Sequence, residues 1–141
     1  MIFQQHILSI ESKSPIEMVD LSSRVESWVE TLSIQNGILV VASQHTTMGV
    51  VLNEYCEKLQ EDMLQFLQSL APAQKDYAHN RVAVDGRPNA HSHLLSLVIP
   101  SQLTLVIQDH KIQKGNWQSI FAVELDGPRS ERQVYLTVVG Q

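Results

Sequence analysis

A short apolar stretch with sharp limits at both ends constrains the fold of this chain most strongly. The segment "GILVVAS", residues 37–43, follows the turn-forming pair Asn36-Gly37 and is rich in β-branched residues. A run of this length, bounded by turn residues, predicts a buried β-strand. The chain then becomes abruptly polar in "QHTT", and "GVVLN" predicts a second strand that ends at Asn53. The sequence therefore predicts two strands separated by a dense polar cluster.

Two other segments have the period of a helix in their apolar residues. The first predicts a helix that begins at Ser14-Pro15, with an apolar face formed by Met18, Leu21, Val25, Trp28 and Leu32. The second predicts a helix that ends at Pro72, with apolar positions at Leu59, Met63, Phe66 and Leu70. A third, short helix is predicted in "NAHSHLLSLVIP", where Asn89 is a candidate cap and Pro100 follows the end.

The remaining regular segments are predicted to be strands. They are Ile2 to Ile10, "LTLVIQ", "QSIFAVELD" and "RQVYLTVVG", the last two joined by the turn "GPRSE". The polar region 73–89 is predicted to be a long loop, and loops of that length are often functional. A chain of 141 residues suits one core. We predict one α+β domain over residues 1–141, with a largely antiparallel sheet, two main helices and one short helix.

The composition excludes several classes of protein. The net charge of −5 argues against a nucleic-acid binder, which normally has a basic face. No apolar run approaches the roughly 20 residues that span a bilayer, and the first residues lack the pattern of a signal peptide. The single cysteine, Cys56, allows no intramolecular disulfide. A soluble cytoplasmic protein is the expectation.

Histidines are concentrated in the polar segments, which suggests a metal site. His45, His79, His91 and His93 account for four of the six histidines. Imidazole is a common ligand of zinc and similar ions, but a site needs three or four donors that converge in space. His91 and His93 would share one face of an extended segment, whereas on a helix they would point about 200° apart. Taken singly, each of these histidines is more typical of a structural or exposed position than of a ligand. Taken as a cluster beside Asp85 and Asn89, they are equally consistent with both roles.

The cluster around His45 has two interpretations. Strand alternation would place Ser43, His45 and Thr47 on one side of the chain and would place Gln44 and Thr46 on the other. Buried polar groups cost about 1–3 kcal/mol each when unpaired, so this cluster either forms a hydrogen-bonded strand end or faces a liganded pocket. Gly49 favours the pocket, because a glycine in a strand often marks the close approach of a ligand or of another backbone.

Three other positions have both an ordinary and a functional reading. Glu54, predicted to start the second helix, is either a first-turn acid or a general base. Asp126 to Arg129 reads as a turn, and it leaves Arg129 as a forked donor suited to phosphate or carboxylate. Trp117 is more typical of core or interface packing than of ligand stacking.

Five motifs together resemble the YjbQ-like family of small proteins, some of which are described as secondary thiamine-phosphate synthases. They are "SQHTTMGVVLNE", "YAHN", "DGRPNAHSHLLSL", "GNWQSIFAVELDGPR" and "VYLTVVG", and they cover nearly the whole chain in order. The resemblance implies a two-layer α+β fold that assembles as a homotrimer. It also implies a polar pocket and a low activity that joins the pyrimidine and thiazole halves of thiamine phosphate.

The resemblance and the residue types together define the candidate site. The predicted ligands of a divalent metal, zinc or magnesium, are His45, His79 and His91. The predicted catalytic residues are Glu54, Asp85 and His93. The predicted substrate- or phosphate-binding residues are Thr46, Thr47, Asn89, Trp117, Gln118 and Arg129.

Two functions follow as hypotheses. The first is a transferase of the thiamine-phosphate synthase type, which needs charge stabilisation for the leaving diphosphate, typically from a divalent ion together with Arg or Lys donors. The alternative is a non-catalytic homotrimer that binds a metal or a phosphorylated metabolite. Self-association is expected in both, because many strands around a modest core leave sheet edges or apolar faces to be covered.

Overall fold

The computed structural model describes all 141 residues, which form eight strands, three α-helices and one 3-10 turn. The strands are β1 (Ile2–Ser12), β2 (Glu17–Asp20), β3 (Gly37–Ser43), β4 (Met48–Asn53), β5 (Gln102–Gln108), β6 (Lys111–Gln113), β7 (Ser119–Glu124) and β8 (Arg129–Gly140). The helices are α1 (Ser22–Glu30), α2 (Glu57–Leu70) and α3 (Ala90–Leu95), and the 3-10 turn covers Ala78–Arg81.

The strands form two sheets, and every pairing is antiparallel. The larger sheet has the order β1-β8-β3-β5-β6 and the smaller one the order β2-β7-β4. The prediction of an α+β fold with antiparallel strands and three helices is confirmed. Our prediction of a single sheet is wrong, because the strands divide between two sheets.

Two apolar clusters fill the spaces between the layers. The main cluster joins the inner face of the larger sheet to α1 and to one face of the smaller sheet; Leu39, Val25 and Val50 represent these three surfaces. The second cluster joins the other face of the smaller sheet to α2 and α3, through Val123, Leu67 and Leu95. The smaller sheet is therefore covered on both faces, and the arrangement has more layers than the two that the resemblance implied.

The first helix is shorter than predicted. Met18 lies in β2, where it pairs with Val123, and α1 begins only at Ser22. The three-residue spacing between Met18 and Leu21 matches the period of a helix by coincidence. Both side chains face apolar neighbours, but only because each packs against a different apolar cluster. The second helix begins at Glu57, so Glu54 precedes it and does not start it, contrary to our prediction.

The turn predicted between the last two strands does not make a hairpin. β7 belongs to the smaller sheet and β8 to the larger one, so residues 125–128 cross from one sheet to the other. The segment 44–47 makes a second crossing, from β3 to β4. The two crossings lie side by side, since the Leu125 amide donates to the Thr47 carbonyl at 3.1 Å. The two crossings therefore place the polar segment 44–47 and residues 125–128 at the same end of the molecule.

Candidate functional site

The site rests on a buried ion pair between two strands. Arg132 of β8 and Glu124 of β7 form two hydrogen bonds, Nη2 to Oε1 at 2.6 Å and Nε to Oε2 at 2.9 Å, and their side chains are only 5% and 1% exposed. Ser12 donates to the same carboxylate at 2.8 Å. Burial alone would raise the pKa of Glu124, but the bonds from Arg132, from the Asp126 amide and from Ser12 lower it.

Asp126 is the centre of a second polar group directly above this pair. Its carboxylate accepts from Arg87 at 2.9 Å, from Arg129 at 2.8 Å and from the side-chain amide of Asn89 at 2.8 Å. Burial would raise the pKa of Asp126, yet these three donors outweigh it and lower the pKa to about 2. Two guanidinium groups share one carboxylate, so this group has a net positive charge.

His45 lies in the crossing from β3 to β4, and its ring is attached to the larger sheet. Its Nε2 accepts from the backbone N–H of Gln133 at 3.0 Å. A nitrogen that accepts has no proton, so the neutral ring carries its proton on Nδ1. Burial, with the charge of Arg132 second, lowers the pKa of His45 and keeps the ring neutral near pH 7. His45 therefore offers a hydrogen-bond donor, Nδ1–H, for which no group of the chain is an acceptor.

His79 is held by an amide and a carboxylate in series. Asn89 is 5% exposed and directs its Nδ2 at Asp126, so its Oδ1 faces His79 Nε2 at 3.1 Å. An amide oxygen only accepts, so the proton of His79 is on Nε2 and its Nδ1 is a free acceptor. The ring of His79 meets that of His93 edge to face, with the centroids 5.0 Å apart.

A cleft of about 310 Å³ opens beside these groups. His45, Thr46 and His93 contribute to its wall, and the remaining wall is made of Met48, Ser96, Leu97, Ile99 and Ser101. His45 and His93 both line this cleft, and His79 contacts His93 without lining the cleft itself. A larger cleft of about 380 Å³, between α1 and the β5–β6 turn, contains none of the predicted site residues. The smaller cleft is the candidate site because His45 and His93 line it. His93 in turn contacts His79, which Asn89 joins to Asp126.

Three predicted residues lie at the opposite end of the smaller sheet. Glu54 follows the last residue of β4, and Trp117 and Gln118 precede the first residue of β7. In the register of these strands, Met48 pairs with Glu124 near the cleft, whereas Asn53 pairs with Ser119 at the far end. The two ends are roughly 17 Å apart by the ordinary rise of a strand. Trp117 is 77% exposed, and the side chain of Gln118 accepts from the Gly115 amide.

Other predicted residues are engaged within the chain. Thr47 Oγ1 accepts from Arg132 at 2.8 Å, so it supports the buried pair. Asp85 accepts from the Arg87 amide in an exposed turn. His91 lies on α3, which directs it away from His93, and its buried Nδ1 has no partner.

The predicted metal ligands do not fit an ion within one chain. No three or more His, Cys, Asp or Glu side chains converge as a ligand set. His45 already uses Nε2 on Gln133, and its Nδ1 carries the proton that a ligand would have to lose. A metal bound by His45, His79 and His91 stays a prediction.

Sequence reasoning missed Arg132, which is central to the site. The sequence did contain a signal for it. Because side chains alternate between the two faces of a strand, Arg132 shares a face with Val134, Leu136 and Val138, which are all buried. A charged residue on the apolar face of a strand indicates a buried partner.

Comparison with known proteins identifies the family. The model of the family described as "UPF0047 protein YjbQ-like" matches residues 6–141. The chain belongs to the YjbQ-like UPF0047 family. A UPF0047 protein of Methanothermobacter thermautotrophicus is 35% identical over 134 residues, which cover 95% of this chain and 90% of that protein. One of Archaeoglobus fulgidus is 32% identical over 127 residues, with 90% and 95% covered.

Solved structures agree with the fold. A YbjQ-like protein of unknown function from Sulfolobus solfataricus has a TM-score of 0.94 at 31% identity, with 99% of both chains covered. A hypothetical protein from Aeropyrum pernix has a TM-score of 0.91 at 33% identity, with 98% of this chain and 99% of that chain covered. No helix of this YjbQ-like protein has the length and apolar character required to cross a membrane.

Proposed function

We propose that the cleft binds a small phosphorylated metabolite and that the surrounding imidazoles assist a group transfer on it. One observation carries the proposal: His45 and His93 line a cleft, and His93 is connected through His79 and Asn89 to Asp126. There Arg87 and Arg129 share the single charge of the Asp126 carboxylate. The excess positive charge favours an anion, and the Nδ1–H of His45 is a neutral donor for one of its oxygens.

The reaction to assay first is the formation of thiamine phosphate, which the family resemblance implies. In it, the pyrimidine methylene carbon exchanges its bond to a diphosphate oxygen for a bond to the thiazole nitrogen. The diphosphate leaves with the electron pair, so the reaction gains from donors and positive charge near that oxygen. His45 and the guanidinium groups beside Asp126 are of the right type for this role.

The test compares the wild-type protein with His45→Ala and with His6→Ala as the control. His6 stacks on Trp28 at 5.5 Å and is not among the residues that line the cleft. With aminopyrimidine diphosphate and thiazole phosphate as substrates, His45→Ala should lower the rate by about 100-fold to 1000-fold, the range for loss of one donor to a developing charge. Equal rates for all three proteins would refute the proposed transfer.

A non-catalytic binding protein is the second candidate. It is favoured by the position of the carboxylates: Glu54 is at the far end of the smaller sheet, and Asp85 is used in its own turn. Calorimetric titration with thiazole phosphate separates the candidates. Binding without turnover supports the second, and binding with turnover supports the first.

We also propose that the protein is a homotrimer in which the two ends of the smaller sheet meet across subunits. The separation of Glu54 and Trp117 from His45 within one chain supports this, because a neighbouring copy would complete the site. A divalent metal, zinc or magnesium, would then take ligands from more than one subunit. A cytoplasmic location is part of the same proposal.

Mixed assembly tests the shared site. Inactive His45→Ala and Trp117→Ala chains, unfolded and refolded together, should recover part of the activity, because some sites receive both intact residues. No recovery, although native mass spectrometry detects mixed oligomers, would contradict a shared site. Rates with and without a chelator, followed by addition of zinc or magnesium, test the metal.

A further inference from the structure

Polar contacts within the chain assign opposite proton positions to two histidines of the site: His45, which lines the cleft, and His79, which contacts the cleft residue His93. His45 Nε2 accepts from the Gln133 backbone amide, so the proton is on Nδ1. His79 Nε2 donates to Asn89, so Nδ1 is the bare nitrogen. Neither assignment depends on a ligand, because both partners belong to the folded chain.

The assignment for His79 depends on the chain of contacts that begins at Asp126. The carboxylate of Asp126 can only accept, which turns the NH₂ group of Asn89 toward it and the amide oxygen toward His79. Arg87 and Arg129 hold the carboxylate in place from the other side. Asn89 is buried, so its contact with Asp126 is shielded from water, whereas the His79 ring at the other end of the series lies at the surface.

We propose that Asn89 is a positioning residue that holds His79 as an acceptor, opposite to the donor His45, so that the site selects a ligand with an N–H or O–H group and an anionic oxygen. This rests on the proposed function for the identity of the ligand. The exocyclic amine and the diphosphate of an aminopyrimidine diphosphate are two such groups. A ligand with acceptors alone would leave the Nδ1 of His79 unmatched.

The test reads the proton positions directly, in the full-length protein without ligand. Nitrogen NMR of isotope-labelled histidine, at about pH 8 and above the ordinary imidazole pKa of about 6.5, distinguishes a protonated ring nitrogen from a bare one. The wild type should show His79 with a bare Nδ1 and His45 with a bare Nε2. Asn89→Ala should leave His79 as a mixture of both forms and His45 unchanged.

Asn80→Ala is the matched control, because Asn80 also joins the 3-10 turn to α3, through the Ala90 amide, but does not bond a histidine ring. It should preserve both proton positions. Asn89→Ala should weaken the binding of aminopyrimidine diphosphate on the order of tenfold, the value of one hydrogen bond, and Asn80→Ala should not. Inorganic phosphate, which lacks the amine, should lose little affinity in either variant.

The results for the inference and for the proposed function are separable. A protonated Nδ1 on His79 in the wild type would overturn the inference, even if Asn89→Ala fails to fold. An unchanged His79 spectrum in a folded Asn89→Ala variant would overturn it too. If wild-type protein shows the expected spectrum but does not bind aminopyrimidine diphosphate, the proposed function fails while the role of Asn89 stands.

Discussion

At the scale of single residues, the buried ion pair of Arg132 and Glu124 supports the site by joining β8 to β7. Both side chains are almost fully buried, and all the polar contacts of the guanidinium go to Glu124 and Thr47. A buried pair of this kind contributes little compared with apolar residues of the same size. Removing one partner is costly, because it leaves the other charge buried without compensation.

We expect Arg132→Ala to lower the free energy of unfolding by about 3–5 kcal/mol, the range for a broken buried pair. Urea denaturation measures this change. Lys58→Ala is the control, because the exposed Lys58–Glu61 pair should contribute less than about 1 kcal/mol. Replacing both Arg132 and Glu124 by apolar residues should recover much of the loss. Equal destabilisation by Arg132→Ala and Lys58→Ala would show that the pair is not desolvated.

At the scale of elements, one glycine allows the segment after α3 to cross the strands. The Val50 amide donates to the Pro100 carbonyl at 2.9 Å, and the Ser43 amide donates to the Ser101 carbonyl at 2.8 Å. A Cβ on Gly49 would lie 2.4 Å from Ile99 Cγ2 and 2.6 Å from the Pro100 oxygen. The close approach expected at Gly49 is therefore that of another backbone. The same segment forms one wall of the cleft.

Gly49→Ala should destabilise the protein by about 1–3 kcal/mol, because the added methyl group has no room against a backbone carbonyl. It should also weaken ligand binding, since the wall at Ile99 must move. Gly115→Ala is the control: the nearest atom to its Cβ would be 3.4 Å away, in the flexible side chain of Gln118. Thermal unfolding of the two variants gives the comparison, and equal melting temperatures would contradict the crowding argument.

At the scale of the whole molecule, the outer face of the larger sheet is left uncovered. The register of the strands places Phe3, Val139, Ile38 and Val106 in one row across β1, β8, β3 and β5. Each of these side chains is between 41% and 61% exposed. A contiguous apolar row on an open sheet face is typical of a surface that another chain covers.

We expect this row to be part of the interface of the proposed trimer. Ile38→Lys, at the centre of the row, should shift the protein to monomers in sedimentation, because a charge would be buried at the contact. Gln65→Lys, on the exposed side of α2, should leave the oligomer intact. A monomeric wild type would exclude the trimer, and an unchanged Ile38→Lys oligomer would place the interface elsewhere.

Much of the fold could be predicted from the sequence, because the signals are local. The apolar run at 37–43 became β3 with the predicted limits, and α2 ends two residues before Pro72. β6 was missed since it has three residues and its turn uses Asp109 and His110 at positive φ in place of glycine. The predicted alternation in 43–47 holds in the burial of these residues, although the strand itself ends at Ser43.

The sequence by itself determined which segments are strands or helices and which of their faces are apolar. Only the tertiary structure decided that two crossings between sheets lie side by side and that Gln133 sets the proton position of His45 from 88 residues away. It alone also decided that Asn89 contacts both His79 and, 37 residues further along the chain, Asp126. It also placed Glu54 and Trp117 at the far end of the smaller sheet. The physical reason is that periodicity reports whether a side chain is buried, whereas its partner depends on how distant strands pair.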